Sequence, residues 1–382
     1  MRIEGKRTVW LIGAGFSRSL AGPLLADLFR SRVWGEDELV FPPKQYPTLA
    51  WDLYLSRLYF NAGKVDGMWG DAENFLAFVD SAHRNADSPE KGRLRLLVQR
   101  TRLEGPNGVG PSHGRERNYP CARFKSNFAP VRRALAAECS AFLLDLDERE
   151  ECWHPYHEWA KTLQPGWDTV IAFNYDLVPD HLAGRDGSKL KVLLPSECPK
   201  DPSQRRQDAV PVLKLHGSVD WKKDEGGQIV RGNLKEILAS EQDTVFIAAP
   251  GRSKQDAVQE LKPLWEQARR ALRYANALVV LGYGFPATDT MARREIQSAF
   301  TAGSPGSDVR RIDVVLGPDT SRPEARRVHA LLEGFKGQRR LVVAPEKVPP
   351  SQPGHKGALH IKVHHLFAED FIFDYRQRTE DA

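Results

Sequence analysis

In the stretch VPVLKLHGSVDW (Val210 to Trp221), Val210, Val212, Leu213 and Leu215 read as a strand entering a core, and that strand delivers His216 and Gly217 at its end. An imidazole titrates near pH ~6.5, so one held on rigid backbone can serve as a general base near neutrality. Other apolar runs end in a similar way. DTVIAFNYD (168–176) ends in Asn174, Tyr175 and Asp176, and ALVVLGYG (277–284) ends in Gly282, Tyr283 and Gly284, with Asp289 shortly after. TVWLIGAG (8–15) ends in Gly13, Ala14 and Gly15. A glycine turn between a strand and a helix lets backbone approach a phosphate, and a helix N-terminus offers free N–H groups. The match to G-x-G-x-x-G is incomplete, because Arg18 stands where the third glycine would fall.

Each group also has a plainer reading. The glycines can make a tight turn, Asn174 can cap the next helix, His216 can be a satisfied core histidine, and Asp289 can be the N-cap of TMARREIQSAF. Their joint placement favours a site, because ligands of open α/β sheets sit beyond the carboxyl ends of the strands.

The elements that must position these groups are short runs rich in Val, Ile and Leu with little alternation: 8–15, 168–176, 210–217, 243–251, 277–284 and 311–319. Such runs suit a parallel sheet covered on both faces. Over 258–275, Val258, Leu261, Trp265, Ala268, Leu272 and Ala275 recur at helical spacing, giving an amphipathic helix and a βαβ unit between the runs 243–251 and 277–284. A helix is expected after the first strand, with Leu20, Leu24, Leu25, Leu28 and Phe29 inward, and another over 322–335. From about 40 to 165 the period is helical, interrupted by a Gly/Pro/Ser-rich loop at 103–120, which reads as a helical module inserted after the first βα unit. A Pro-rich loop is expected near 345–353, and HIKVHHLFAEDFIFDYRQ gives a last strand or helix.

The chain has 382 residues, 41% hydrophobic and 27% charged, with a net charge of +5, as expected for a soluble protein of one large domain or two ordinary ones. No apolar run approaches the ~20 residues that span a membrane. The N-terminal run ends in a glycine turn and reads as a strand, not a signal peptide. Cys121, Cys139, Cys152 and Cys198 form no C-x-x-C pair, so no zinc ribbon is expected, and free thiols in the cytoplasm are. The arginine pairs, Arg269-Arg270 and Arg326-Arg327 among them, are scattered among acids and read as solvated surface; a direct nucleic-acid surface is left open.

In this order, GAGFS, AFNYD, KLHGSVDW and LGYGFPATD resemble the sirtuin-like domain family, and more narrowly its bacterial branch of antiphage-defence NADases. The resemblance covers roughly 10–30 and 168–318. It implies a Rossmann-like, mostly parallel sheet with helices on both faces, with 1–40 and 165–345 forming the NAD-binding domain. The inserted helical module is then 41–164, and 346–382 is a C-terminal segment packing on the core. It implies NAD⁺ as substrate, with Gly13, Ala14, Gly15, Ser17 and Gly22 in the phosphate turn. His216, before Gly217, and Asn174 with Asp176 match the catalytic motifs, and Gly282, Tyr283 and Asp289 match the late motif near the adenosine ribose. The four-cysteine zinc module of the deacetylating members is missing, and LLADLF stands where their Asp-Phe-Arg would be. Both departures argue against protein deacetylation and for cleavage of the nicotinamide–ribose bond, with no zinc expected. Asp176 can orient a partner or merely cap a helix.

Two other readings use the same groups: a module that senses NAD or a related nucleotide without cleaving it, and an oxidoreductase. His154 and His157 read as loop packing rather than metal ligands, and the adjacent His364 and His365 point apart. No G-x-S-x-G elbow and no Walker lysine is present. Relatives of this branch imply gating by a homo-oligomer or by a companion ATPase or Argonaute-type subunit, and no membrane association.

Overall fold

A computed structural model of the chain describes residues 7–30, 41–84, 87–100, 122, 124, 128–144, 146, 151–199, 208–240, 242, 244–251, 253–286, 289–300, 309–336, 341–342 and 359–380. The loops expected at 103–120 and 345–353, and Cys121, lie outside these residues.

Among the described residues the main sheet has eight strands, all paired parallel. They are β1 (Thr8–Ile12), β2 (Asp168–Ala172), β3 (Leu190–Val192), β4 (Val210–Lys214), β8 (Ala277–Leu281), β9 (Arg311–Val315), β10 (Leu341–Val342) and β11 (Leu359–His364). Their order is β10-β11-β9-β8-β1-β2-β4-β3, so the chain leaves the central β1 first toward β2 and later toward β8. The crevice beside β1 is therefore a topological switch point, where open α/β sheets bind ligands. In the centre, Val9 to Ile12, Val170 to Ala172 and Leu278 to Leu281 are all buried, as a sheet covered on both faces requires.

A second, antiparallel sheet has the order β6-β5-β7, from β5 (Gly217–Lys223), β6 (Ile229–Arg231) and β7 (Val245–Ile247). This corrects the expectation for 243–251. That run was placed in the parallel sheet by its apolarity, but it pairs with β5, so the following helical segment makes no βαβ unit with β8. The segment itself is two helices, α8 (Ser253–Glu260) and α9 (Lys262–Arg273), because Pro263 starts a new one.

The helical module comprises α1 (Pro47–Val65), α2 (Ala72–Arg84), α3 (Pro89–Arg100) and α4 (Ala129–Leu144), close to the sequence periods. Its core joins Leu53, Phe60, Phe75, Leu76, Val131 and Leu135 to Val219, Val245 and Ile247 of the small sheet. Leu28, Phe29 and Phe41 belong to the same cluster. By contrast, α5 (His154–Thr162) belongs with the large sheet. Trp153, Tyr156 and Trp159 are buried in its core, Trp159 edge-on to Trp10 at 5.6 Å. The aromatic positions of 153–159 carry no period that separates them from the module before them. Of the ambiguous C-terminal stretch, the first half is β11 and the second is the helix α12 (Ala368–Glu380), which packs on α5.

Among the described residues from Gly13 to Arg30, no α-helix follows β1. Ala14–Leu20 is a seven-residue 3₁₀ helix, stopped at Ala21 in the left-handed region (φ 65°) and by Gly22-Pro23. Of the residues expected inward, Leu20, Leu28 and Phe29 are buried, and Leu24 and Leu25 are half-buried. Close backbone contact explains the glycines. A Cβ on Gly13 would lie 2.6 Å from Tyr283 Cα, and one on Gly282 would lie 2.4 Å from Gly15 Cα, with Gly282 already at φ 63°. Gly282→Ala is therefore expected to cost about 2 kcal/mol. A urea midpoint within error of wild type would contradict this interlock.

Candidate active site

The carboxyl ends of β8, β1, β2 and β4 lie side by side. Register pairs Leu281 with Ile12, Ile12 with Ala172 and Ala172 with Lys214. Gly13, Asn174 and His216 are thus each one or two residues past the last paired position, as the sequence expectation requires. They fall into two bonded groups.

In the first, Asn174 Nδ2 donates to Gly13 O at 3.0 Å and to Ser17 Oγ at 3.2 Å, and Ser17 Oγ donates to Asp176 Oδ2 at 2.8 Å. Asp176 Oδ1 accepts from Val178 N at 3.1 Å, at the start of the helix α6 (Val178–Ala183). Asp176 therefore caps a helix and holds Ser17; it does not reach toward His216. Burial raises its carboxyl, and Lys214 opposes the rise.

In the second group, His216 Nε2 stands 3.3 Å from Asp289 Oδ2, an oblique approach, and the backbone of Phe173 is another partner of the ring. Asp289 Oδ1 lies 3.1 Å from Lys254 Nζ, and the Tyr283 hydroxyl donates to Asp289 Oδ2. Phe173 stacks on Tyr283 at 4.2 Å and meets His216 edge-on at 5.1 Å. Asp289, expected near a ribose, is thus a partner of the imidazole. Asp289 also directly precedes the helix Thr290–Phe300, its carbonyl accepting from Arg293 N at 3.1 Å, as its reading as an N-cap expects.

Gly217, at φ 77°, admits the Phe246 carbonyl, which a Cβ would meet at 2.4 Å. That close approach is why glycine follows the histidine at once. The N–H groups of Gly13 and Gly15 already donate to Leu281 O and Gly282 O, both at 3.0 Å, so neither is a free phosphate donor. The turn's glycines instead draw the β8 loop, with Tyr283 and Asp289, onto the β1 end. Gly22 lies against Ser17, its N–H bonded to Ser17 O at 2.9 Å. Ala14, Gly15 and Gly282 keep part of their surface in solvent, whereas Gly13, Ser17, Asn174, Asp176, His216, Tyr283 and Asp289 are buried.

Two further cations hold this end of the sheet. Lys254 has no signal in the sequence. Lys214 had one, a lysine inside the apolar run VPVLKLHG, two residues before the histidine. It is fully buried and donates to Asp176 O at 2.7 Å, Asp180 Oδ2 at 2.9 Å and Ser218 Oγ at 2.5 Å. The helical module reaches this end of the sheet, where Tyr175 packs against its core. Burial pushes the Tyr175 and Tyr283 hydroxyls well up, and nearby Glu73 of α2 adds to both. The cavities described lie elsewhere, one under the opposite ends of β1, β2 and β4 and one between β8, β9 and their helices.

Burial lowers the His216 imidazole, Lys254 adds to the lowering, and Asp289 opposes it. Burial alone would raise Asp289, but His216, Lys254 and Tyr283 outweigh it and hold the carboxylate well below its usual range. The charge pair at neutral pH is then Asp289 with Lys254, and His216 is neutral. Both shifts are depressions, so each stabilises the fold above the unfolded-state pKa and loses that contribution as pH falls through the folded value. For His216 the loss begins below pH ~6.5, and for Asp289 below pH ~4. His83 is lowered by burial too and acts in the same direction. The urea midpoint is expected to fall from pH 7 to pH 5, and to fall less in His216→Asn. An identical pH slope in the variant would contradict the assignment.

The histidines set aside in the sequence are placed elsewhere. His157 stacks on Trp153 at 5.8 Å and lies 2.9 Å from Arg185, in a helix rather than a loop. His364 meets Asp313 at 2.9 Å, while His365 stacks on His329 at 5.6 Å. Among the described residues no group of three or more His, Cys, Asp or Glu is arranged to hold a metal ion. No helix among them is long and apolar enough to cross a membrane.

No family model matches the chain, and no curated protein does. Among solved structures, Sir2Tm bound to a propionylated peptide is similar over 99% of this chain and 95% of its own, at 14% identity and a TM-score of 0.37. Sir2 with a p53 peptide and NAD⁺ is similar over the same shares, at 13% identity and a TM-score of 0.32. So loose a superposition carries no argument, and the fold class rests on the strand order and registers above.

Proposed function

We propose that the protein is an NAD⁺ glycohydrolase that cleaves the nicotinamide–ribose bond to give nicotinamide and ADP-ribose. The observation that carries this reading is the placement of Asn174 and His216, each two residues past paired positions of adjacent strands, beside the glycine turn. The motif resemblance supplies the substrate.

Nicotinamide leaves from a cationic ring and needs no general acid. The ribose passes through an oxocarbenium-like centre, as in glycoside hydrolysis. Asn174 Nδ2 is committed to Gly13 and Ser17, which leaves Oδ1 to accept from the attacking water or a ribose hydroxyl and to face developing positive charge. His216, neutral at pH 7, takes the proton. To do so its ring exchanges Asp289 for the substrate, and Asp289 stays compensated by Lys254 and Tyr283. Asp176 and Ser17 are positioning residues for Asn174. Ala14, Gly15 and Gly282, the partly exposed members of the turn, are where the dinucleotide first meets backbone.

These side chains bond to one another and are nearly sealed from water. That supports a gated enzyme, which a cell-depleting NADase requires. In this reading the protein is a cytoplasmic effector of antiphage defence, opened by self-assembly or by a companion ATPase or Argonaute-type subunit. Chromatography of NAD⁺ after incubation with the protein, alone and with candidate partners, tests this. Nicotinamide and ADP-ribose should accumulate with the activating assembly. NAD⁺ bound but intact in every assembly would identify a sensor instead.

A further inference from the structure

The opposite end of the same sheet holds a cavity of about 780 Å³, counting its open mouth. Its floor is apolar and rigid, formed by Val9 of β1, Leu213 of β4 and Ala271 of α9. Two guanidiniums line it, Arg7 and Arg270, and neither has an acidic partner among the described residues. The neighbouring Arg269 is different: it forks onto Glu295 at 2.7 and 3.1 Å. Arg7 lies over the Tyr274 ring at 5.8 Å. At the wall stands Trp167, whose indole is 42% exposed although it is among the largest apolar side chains of the chain. The cavity's one carboxylate, Asp168, is buried and already occupied: its Oδ1 accepts from Trp10 Nε1 at 3.3 Å and its Oδ2 from Gln164 N at 2.7 Å.

An apolar floor suits a small molecule, and a few convergent polar groups fix its orientation. Two guanidiniums with no acidic partner among the described residues select an anion, with phosphate or carboxylate geometry matched by their planar forks. An exposed indole beside them selects a flat aromatic body. We infer that this cavity is a second ligand site, for a small planar aromatic anion of the size and charge of a nucleoside monophosphate. It lies at the amino ends of the strands, roughly 16 Å from the Asn174 and His216 end along five residues of β1 at ~3.3 Å each. The inference does not rest on the activity proposed above.

Calorimetric titration with adenosine 5′-monophosphate, adenosine and inorganic phosphate tests it on the full chain. The monophosphate should bind one site with a Kd below about 1 mM, and adenosine and phosphate should each bind at least about ten-fold more weakly. Arg270→Gln and Trp167→Ala should weaken the monophosphate about ten-fold while keeping the wild-type unfolding midpoint, and His216→Ala should leave binding unchanged. No binding to wild type overturns the inference. Equal binding of adenosine does so too, as does undiminished binding in Arg270→Gln. Loss of binding in His216→Ala would move the ligand to the other end of the sheet and overturns it as well.

Discussion

If the proposed activity holds, the His216→Ala protein should lose nicotinamide release by about 10²–10⁴-fold in the active assembly while remaining folded. The size follows from the role. A general base contributes that range, and orientation of the ribose by Asn174 and the glycine turn remains. The fold survives because the ring packs against Phe173 and Tyr175 without bearing the sheet, and its removal leaves Asp289 paired with Lys254. Steady-state rates with circular dichroism on the same samples check both halves. A variant that keeps the wild-type rate would remove His216 from the chemistry. Lys254→Met should behave differently, because Lys254 pairs with Asp289 and acts on the imidazole only through its charge. With Lys254 removed, its lowering of the imidazole is lost, so the acid limb of the pH–rate profile should move upward and the rate at high pH should survive.

Lys214→Met should be the most destabilising single change at this end of the sheet, by about 3 kcal/mol or more. The ammonium has no solvent exposure, and removing it strands Asp180 Oδ2, the Asp176 carbonyl and Ser218 Oγ. Burial already raises the Asp180 carboxyl against the pull of Lys214, so the variant leaves a carboxylate that is costly to ionise. Asp180 keeps some access to water, with its side chain 18% exposed, which holds the estimate to the lower end for a broken buried pair. A loss of 3 kcal/mol is a large fraction of a typical stability of about 5–15 kcal/mol. Urea unfolding measures it, and Lys214→Met with Asp180→Leu should recover part of the loss. A midpoint shift under a few tenths of a kcal/mol would show that the network is not structural.

The strands that end in chemistry were legible because a parallel sheet buried on both faces writes itself as uninterrupted Val, Ile and Leu. That reading placed β1, β2, β4, β8 and β9, and with them the Asn174 and His216 ends. It failed at Val245–Ile247, since a short apolar strand carries no mark of which sheet it joins. It failed again after Gly15, where a helical spacing of leucines was read through Gly22-Pro23, although those two residues stop the helix. Close backbone approach looks the same in sequence whether the visitor is a ligand or another loop. Here the visitor at Gly13 and Gly15 is the β8 loop. The Asp289–His216 contact and the part played by Lys254 depend on elements about 35 to 75 positions apart, and no local pattern encodes them. Lys214 was visible as a charge within an apolar run, and its burial with three acceptors is the physical reason that such a charge can stand there.

The most direct test of the central claim is NAD⁺ turnover in heavy-oxygen water by the assembled protein, with products read by mass spectrometry. Nicotinamide should appear in equal amount with ADP-ribose that carries one heavy oxygen at the anomeric carbon, and neither should form with Asn174→Ala or His216→Ala. NAD⁺ recovered unchanged from every assembly, or cleaved equally well by both variants, would contradict it.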